Sequence, residues 1–290
     1  MTILRIMTWN VRYFGHYMRG VRSTDANLRA CAVAIAQIAP PDVIALQEVE
    51  DRSLRAGMSS RSQLDRFAHA LARALPDRRY QARYFPAHRY AIGDLPPLYT
   101  TGLAILVDQR FPILSQAYQE ITHVRLPMFA AVKQRRIGGH VRVQVGRDAL
   151  DVFNTHLSLP AFFEGGLHTM VKRMGQASNQ IREAEALLGF VAERRQPGGP
   201  VVVMGDLNSR PGSAVMQAFA DAGLEDAHRG QSARGTARFG RIRMHIDHIF
   251  SEGVQWEQAE TMAVDDLRSP FTGLSDHGPK LGVLRLSSAS

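Results

Sequence analysis

Pro200-Val-Val-Val-Met-Gly-Asp-Leu-Asn-Ser-Arg-Pro-Gly-Ser213 is the stretch whose reading decides the fold. Its apolar run, Val201 to Met204, does not alternate with polar residues, so it reads as a strand covered on both faces. The run stops at Gly205-Asp206, and Asn208, Pro211 and Gly212 follow, all residues that favour turns. From residue 213 to 222 the apolar spacing becomes helical. The unit is a strand, a polar loop and a helix.

The same form recurs along the chain. ILRIMTWNV (3–11), DVIALQEV (42–49), TGLAILVD (101–108), ALDVFNTHL (149–157) and HIDHIFS (245–251) are apolar runs, most of them ending in polar residues. Segments with helical spacing lie at 25–39, 61–75, about 170–195 and 213–222. Between about 110 and 155 the pattern changes to alternating strands, with turns expected at Gly138-Gly139 and Arg147-Asp148, which reads as antiparallel hairpins. Interleaved helices and a hairpin region predict a mixed sheet. Two such sheets stacked face to face with helices outside bury apolar strands on both sides, a four-layer α/β sandwich. No linker, repeat or low-complexity segment divides the chain, so one domain is expected over 1–286, followed by a short polar tail at 287–290.

The 290 residues, 45% of them hydrophobic, suffice for a substantial core. No secretory signal pattern precedes ILRIMTWNV and no apolar run approaches the length that spans a bilayer, so a soluble, cytoplasmic protein is expected. Cys31, the single cysteine, lies in CAVAIAQI and reads as a small buried hydrophobe. The net charge of +8 favours polyanions such as nucleic acid or anionic lipid surfaces. It is carried mainly by arginine, with lysine only at positions 133, 172 and 280.

Polar residues gather at the ends of the apolar strands: Asn10, Glu48, His156, Asp206, Asn208, Asp247, Asp276 and His277. A core has no use for them there. Carboxylates beside an apolar interior are costly unless a cation or mutual hydrogen bonding compensates them. Hard oxygen donors of this kind suit magnesium or manganese better than zinc. Each residue alone has a plainer reading. Asn10 reads as a turn cap, Glu48 as the start of a loop, His156 as a satisfied histidine, and GDLNS as an ordinary strand-to-helix turn. Their joint occurrence points to one site.

TWN, LQEV, NTHL, GDLNS, IDHIF and SDHGP, in that order between residues 8 and 279, resemble the endonuclease/exonuclease/phosphatase superfamily with its deoxyribonuclease-I-like fold. The resemblance implies a divalent-metal-dependent phosphoester hydrolase working by in-line attack of an activated water, without a covalent intermediate. It implies that Glu48 is the principal magnesium ligand, with Asp276 and Asn10 supporting the metal site. Asp206 is then expected to orient or deprotonate the water and Asn208 to hold that water or a phosphate oxygen. His277 is expected to face the phosphate with Asp247 fixing its other ring nitrogen, and His156 to serve as a second donor. Histidine at 156 disfavours the abasic-site branch, where tyrosine is usual, and Ser209-Arg210-Pro211 with MHIDHIF disfavours the inositol-phosphatase branch.

The expected substrate is a nucleic-acid phosphodiester, with a smaller phosphoester such as a lipid headgroup, nucleotide or inositol-type metabolite as the alternative. An inactive binding scaffold ranks last, because every expected catalytic position holds a competent residue. Residues 228–245, with Arg229, Arg234, Arg238, Arg241 and Arg243 and no acidic residue, read either as a loop overhanging the site that grips flanking phosphates or as a solvated loop. Phe162 and Phe163, just after NTHL, read as packing residues or as a lid that stacks on a base or dips into lipid.

Overall fold

The computed structural model describes residues 2–15, 23–93, 95–123, 135–160, 166–229 and 235–286, and the expected polar tail lies outside them. The first half runs β1 (Ile3–Asn10), α1 (Asp25–Ala36), β2 (Val43–Val49), α2 (Gln63–Ala74), β3 (Tyr80–Tyr90), β4 (Tyr99–Asp108), β5 (Ile113–Glu120) and β6 (Ile137–Val145). The second half runs β7 (Asp148–His156), α3 (Gly166–Arg173), α4 (Ser178–Arg194), β8 (Val201–Asp206), α5 (Ala214–Asp221) and β9 (Glu225–Asp226). It continues with β10 (Ala237–Phe239), β11 (Ile242–Met244), β12 (Asp247–Glu252), β13 (Val254–Thr261) and β14 (Lys280–Leu286).

Two six-stranded mixed sheets form, in the orders β13-β14-β1-β2-β4-β3 and β5-β6-β7-β8-β12-β9. Each has a parallel pair at its centre, β1 with β2 and β7 with β8, flanked by antiparallel strands. The unbroken apolar runs follow from two-sided burial. Val43 and Ala45 of β2 meet Val202 and Met204 of β8 in the cluster between the sheets. Ile44 and Leu46 turn outward into the cluster with α1 and α2, and Val201 and Val203 into that with α4 and α5. Each of these side chains larger than alanine contributes about 1.5–3 kcal/mol on burial. The four-layer α/β sandwich is thus observed. Thr24 and Ser62 start α1 and α2, their hydroxyls accepting from the Asn27 and Asp65 N–H groups at 3.1 and 3.0 Å.

Three local expectations change. Gly138 and Gly139 lie inside β6 rather than in a turn. A Cβ at either would meet Leu187 or Phe85 at 2.7 Å, so these glycines serve close packing. The hairpin turns instead at Gly146-Arg147, one residue before the expected place. The long helix expected over 170–195 is two helices, broken at residues 174–177, where the Gln180 side chain accepts from the Gly175 N–H at 2.8 Å.

Within the largely apolar layer between the sheets lies a buried polar tie. Gln47 of β2 donates to Asn154 Oδ1 of β7 at 2.7 Å and to Thr8 Oγ1 at 2.9 Å. Asn154 in turn donates to the Leu46 and Ala104 carbonyls at 2.9 and 3.0 Å. Close approach matters at Gly205 too, which pairs with Thr155 across the parallel ladder and where a Cβ would fall 2.0 Å from the Thr155 carbonyl oxygen.

Candidate active site

Parallel pairing brings the carboxyl ends of β1, β2, β7 and β8 to one edge. Asn10 ends β1, Glu48 is next to last in β2, and His156 and Asp206 end β7 and β8 directly opposite each other. Asp247 opens β12 opposite Asp206. Lys280, the first residue of β14, pairs with Thr8, which carries the preceding Asp276 and His277 back toward Asn10. That segment is sewn to β1: Trp9 Nε1 donates to the His277 carbonyl at 2.8 Å, and Ser275 Oγ to the Asn10 carbonyl at 2.7 Å.

The backbone here is strained. Glu48 has φ +56 beside the irregularity in the β2–β4 pairing, Asn208 has φ +47, and Arg12, Tyr13 and Phe14 lie between +45 and +53. Left-handed non-glycine residues cost about 1–3 kcal/mol each and cluster where surrounding structure over-determines them.

Asn10 joins the two sheets, its Nδ2 donating to Asp206 Oδ2 at 3.0 Å and to Glu48 Oε1 at 3.3 Å. The Asn208 backbone N–H donates to Asp206 Oδ1 at 3.0 Å, while Asn208 Nδ2 donates to the Leu157 carbonyl at 2.9 Å and lies 3.3 Å from His156 Nε2. His277 Nδ1 sits between both oxygens of Asp247, at 2.9 and 3.1 Å, and its Nε2 is 3.7 Å from Asp206 Oδ2. His156 Nε2 stands 3.4 Å from that same oxygen. Seven of the eight expected residues, all but Asp276, are thereby linked through Asp206. Asp276 connects otherwise: its Oδ2 is 3.4 Å from Arg12 Nε, and the Arg12 N–H donates to Asn10 Oδ1 at 3.0 Å.

Burial and neighbouring charge set the protonation. Burial, then the Asp247 charge, raises the Asp206 carboxyl to about 7. Burial opposes charge on His277, but Asp247, Asp206 and the Asp247 hydrogen bond outweigh it and hold the ring well above its ordinary value. Burial pushes Asp247 up, and the charge and hydrogen bond of His277 more than reverse it. Burial, Arg136 and His277 drive His156 well below the ordinary value, so it is a neutral imidazole. The edge thus holds an imidazolium, a neutral imidazole and a carboxyl poised near neutrality.

Asp206, Asp247 and His277 bring their ligand atoms within 4.8 Å of one another. His277 already supplies the cation of that trio, which leaves it an ion-paired cluster. The hard-oxygen donors lie beside it. Glu48 is half-buried in a strained strand end and has no ion-pair partner among the described residues, and Asp276 is partly exposed next to Arg12. With the Asn10 amide, their donor chemistry is of the hard-oxygen kind that divalent cations take.

Several neighbours carried no readable sequence signal. Arg55 lies 3.9 Å above the Tyr13 ring and pairs with the fully buried Glu50, fixing Tyr13 beside the site, where Glu48 and Asp276 both act on its phenol. Behind Asp247 lies a buried polar cluster around Lys280, with Asp226 as its carboxylate. Lys280 Nζ is 2.9 Å from His245 Nε2, the His228 Nε2–H donates to the Glu260 and Leu281 carbonyls at 3.1 Å, and His248 donates to the Ser209 carbonyl at 2.9 Å. Burial lowers Lys280 to about 8. The described later part of the arginine-rich stretch, 235–245, contains the β10–β11 hairpin, which joins the site where the Arg238 N–H donates to the Asp276 carbonyl at 2.9 Å and Ala237 bridges His277. Arg229, Arg238, Arg241 and Arg243 are exposed, Arg243 paired with Asp265, whereas Arg234, Phe162 and Phe163 lie outside the described residues.

Comparison with known proteins bears on the fold and the family. UPF0294 proteins of two Vibrio cholerae strains are 32% identical to the chain over 105 residues, 35% of this chain and 34% of theirs, so it spans about a third of the length of these curated relatives. An endonuclease/exonuclease/phosphatase structure from Beutenbergia cavernae superposes with a TM-score of 0.70 at 21% identity, covering 100% of this chain and 73% of that one. One from Bacteroides vulgatus gives 0.63 at 19% identity, with 99% and 100% covered. The human Nocturnin catalytic domain with bound sulfate gives 0.59 at 20% identity, with 98% and 94% covered. At these identities the likeness is one of fold. The match to the family itself runs over residues 7–277, and the chain belongs to the Endonuclease/Exonuclease/phosphatase family.

Proposed function

We propose that this protein is a divalent-metal-dependent phosphodiesterase that cleaves nucleic acid by in-line attack of water. The observation that carries the reading is the His277 imidazolium clamped by Asp247, beside an Asp206 carboxyl that burial raises to about 7. The first is a donor for phosphate oxygens; the second is a base matched to neutral pH.

Glu48, Asp276 and Asn10 would hold the cation, magnesium or manganese, which when bound supplies a Lewis acid for a phosphoryl oxygen. Asp206 accepts the proton of the attacking water as its oxygen bonds to phosphorus and the bond to the leaving oxygen breaks. Asn208, hydrogen-bonded to Asp206 through its backbone N–H at 3.0 Å, keeps that carboxyl turned toward the water. His277 has Nδ1 engaged by Asp247, so Nε2–H is the donor left for the charge that builds on phosphorus. His156, neutral, adds hydrogen bonding without a second positive charge beside His277. Nucleic acid as substrate draws support from the net charge of +8 and from the exposed arginines of the β10–β11 hairpin next to Asp276.

The test is a substrate panel with magnesium and with chelator: single-stranded DNA, duplex DNA, RNA, sphingomyelin, inositol phosphates and a bis-aryl phosphodiester. Metal-dependent cleavage of a nucleic acid and of the bis-aryl ester, abolished in Asp206→Asn, is expected. Turnover that survives chelation overturns the metal assignment, and turnover confined to sphingomyelin or inositol phosphates overturns the substrate.

A further inference from the structure

A second concentration of positive charge lies away from the catalytic edge. Because β1 and β2 run parallel, α1 and α2 both run back against them and both begin at the edge that carries Asn10 and Glu48. On the outer side of this helix pair a concavity of about 240 Å³ is lined by Arg29, Arg61, Arg66, His69, Arg73 and Asp25. Arg66, His69 and Arg73 recur at i, i+3 and i+7 and form one stripe along α2, and Asp25 and Arg29 are one turn apart on α1.

Arg66 belongs to the scaffold. Its Nη1 donates to Asp25 Oδ1 at 2.7 Å and its Nη2 to the Ala56 carbonyl, which takes up the charge of Asp25 and fixes the floor. Arg29, Arg61 and Arg73 are exposed and make no ion pair among the described residues, so three guanidiniums stand uncompensated around one concavity. The amino ends of α1 and α2 add partial positive charge on the side of Arg29 and Arg61, while Arg73 lies in the last turn of α2. Leu28 and Ala70, the apolar members of the lining, are buried at 1% and 8% exposure, so the groove offers no large apolar side chain to insert into lipid, and the ring in its lining is the His69 imidazole. Planar guanidinium forks around one concavity, with no large apolar side chain exposed in it, suit phosphate oxygens of a strand, read without regard to sequence.

We infer that the α1–α2 groove is an exosite for the sugar–phosphate backbone of a nucleic-acid strand, holding phosphates that flank the one at the catalytic edge. It rests on the nucleic-acid reading of the active site. Long strands use both surfaces, and a dinucleotide or a bis-aryl diester uses the catalytic edge alone.

The test is the full chain with Arg29→Gln, Arg61→Gln and Arg73→Gln combined, compared with the native protein. Three measurements are needed: binding of a long fluorescent single strand across a salt series, turnover of the dinucleotide and bis-aryl diester, and binding to phosphatidylserine vesicles. The expected result is strand affinity weaker by about tenfold or more at low salt, with the slope of log affinity against log salt shallower by about 2, since single strands contribute about 0.7 per neutralised phosphate. Turnover of the short substrates stays native. Native strand affinity and slope in the triple variant overturn the exosite, as does a parallel loss of short-substrate turnover or a loss confined to vesicles. If the native chain hydrolyses the short substrates but does not bind the long strand, the exosite falls while the catalytic reading stands. If it cleaves no phosphodiester, the catalytic reading falls.

Discussion

Replacing Asp247 with asparagine removes one charge from the centre of the site with almost no change of shape. In the native protein, His277 Nδ1 lies 2.9 Å from Asp247 Oδ2 and both residues are buried. At an effective dielectric of about 20, a charge pair at that distance is worth about 6 kcal/mol. Asparagine keeps an acceptor for the ring N–H, so about half should survive, leaving a deficit of about 3 kcal/mol in support of the imidazolium. If that charge is needed in the transition state, kcat falls by about two powers of ten. The sign of the pH effect is fixed. Asp247 raises the His277 pKa, so the stability it contributes is complete below the ordinary histidine value of about 6.5 and is lost as pH rises through the higher folded value. Asp247→Asn should therefore move the alkaline limb of kcat/KM to lower pH. The assay is a pH–rate profile on a bis-aryl phosphodiester at saturating magnesium, with Asp247→Asn, His277→Ala and the double variant. Two results refute the reasoning: a single variant within about threefold of native kcat with an unmoved limb, or a double variant whose loss is the sum of the two single losses.

Other perturbations separate the remaining roles. Glu48→Gln should weaken magnesium activation by about tenfold or more while leaving the fold intact, read as the metal concentration at half-maximal turnover beside a thermal melt. Lys280 has a folded value of about 8 against an ordinary 10.5, so between those values the unfolded chain binds more protons and stability rises with pH, by about 3 kcal/mol in total. Lys280→Met should flatten that rise in urea titrations across the same range. Gly205→Ala should destabilise the fold by about 3 kcal/mol or more, because its Cβ would fall 2.0 Å from the Thr155 carbonyl oxygen; chemical denaturation measures it.

The sequence carried the strand ends better than the strands between them. Val201–Met204 and Val43–Leu46 are unbroken because both faces are buried, and the polar residues that end such runs stood out for that reason. β3, β13 and β14 have mixed or half-exposed faces, and β3 contains Pro86 at a register shift, so they lack that contrast. Gly138-Gly139 looked like a turn because glycine does two jobs, and only the positions of Leu187 and Phe85 tell them apart. At the site, the Asp247–His277 contact matched its expectation. Arg12, Tyr13 and the cluster around Lys280 were illegible because the meaning of each depends on partners distant in sequence, such as Asp276 for Arg12 and His245 for Lys280.

Asn10 and Asp206 come from opposite sheets, so their 3.0 Å contact registers how far one sheet has slid over the other. Hydrophobic burial is non-directional, and an oily interface by itself tolerates sliding. Hydrogen bonds are directional and do not. The Gln47–Asn154 tie gives a lubricated interface a single rest position, and the alignment at the edge is inherited from below, without any surface loop having to enforce it.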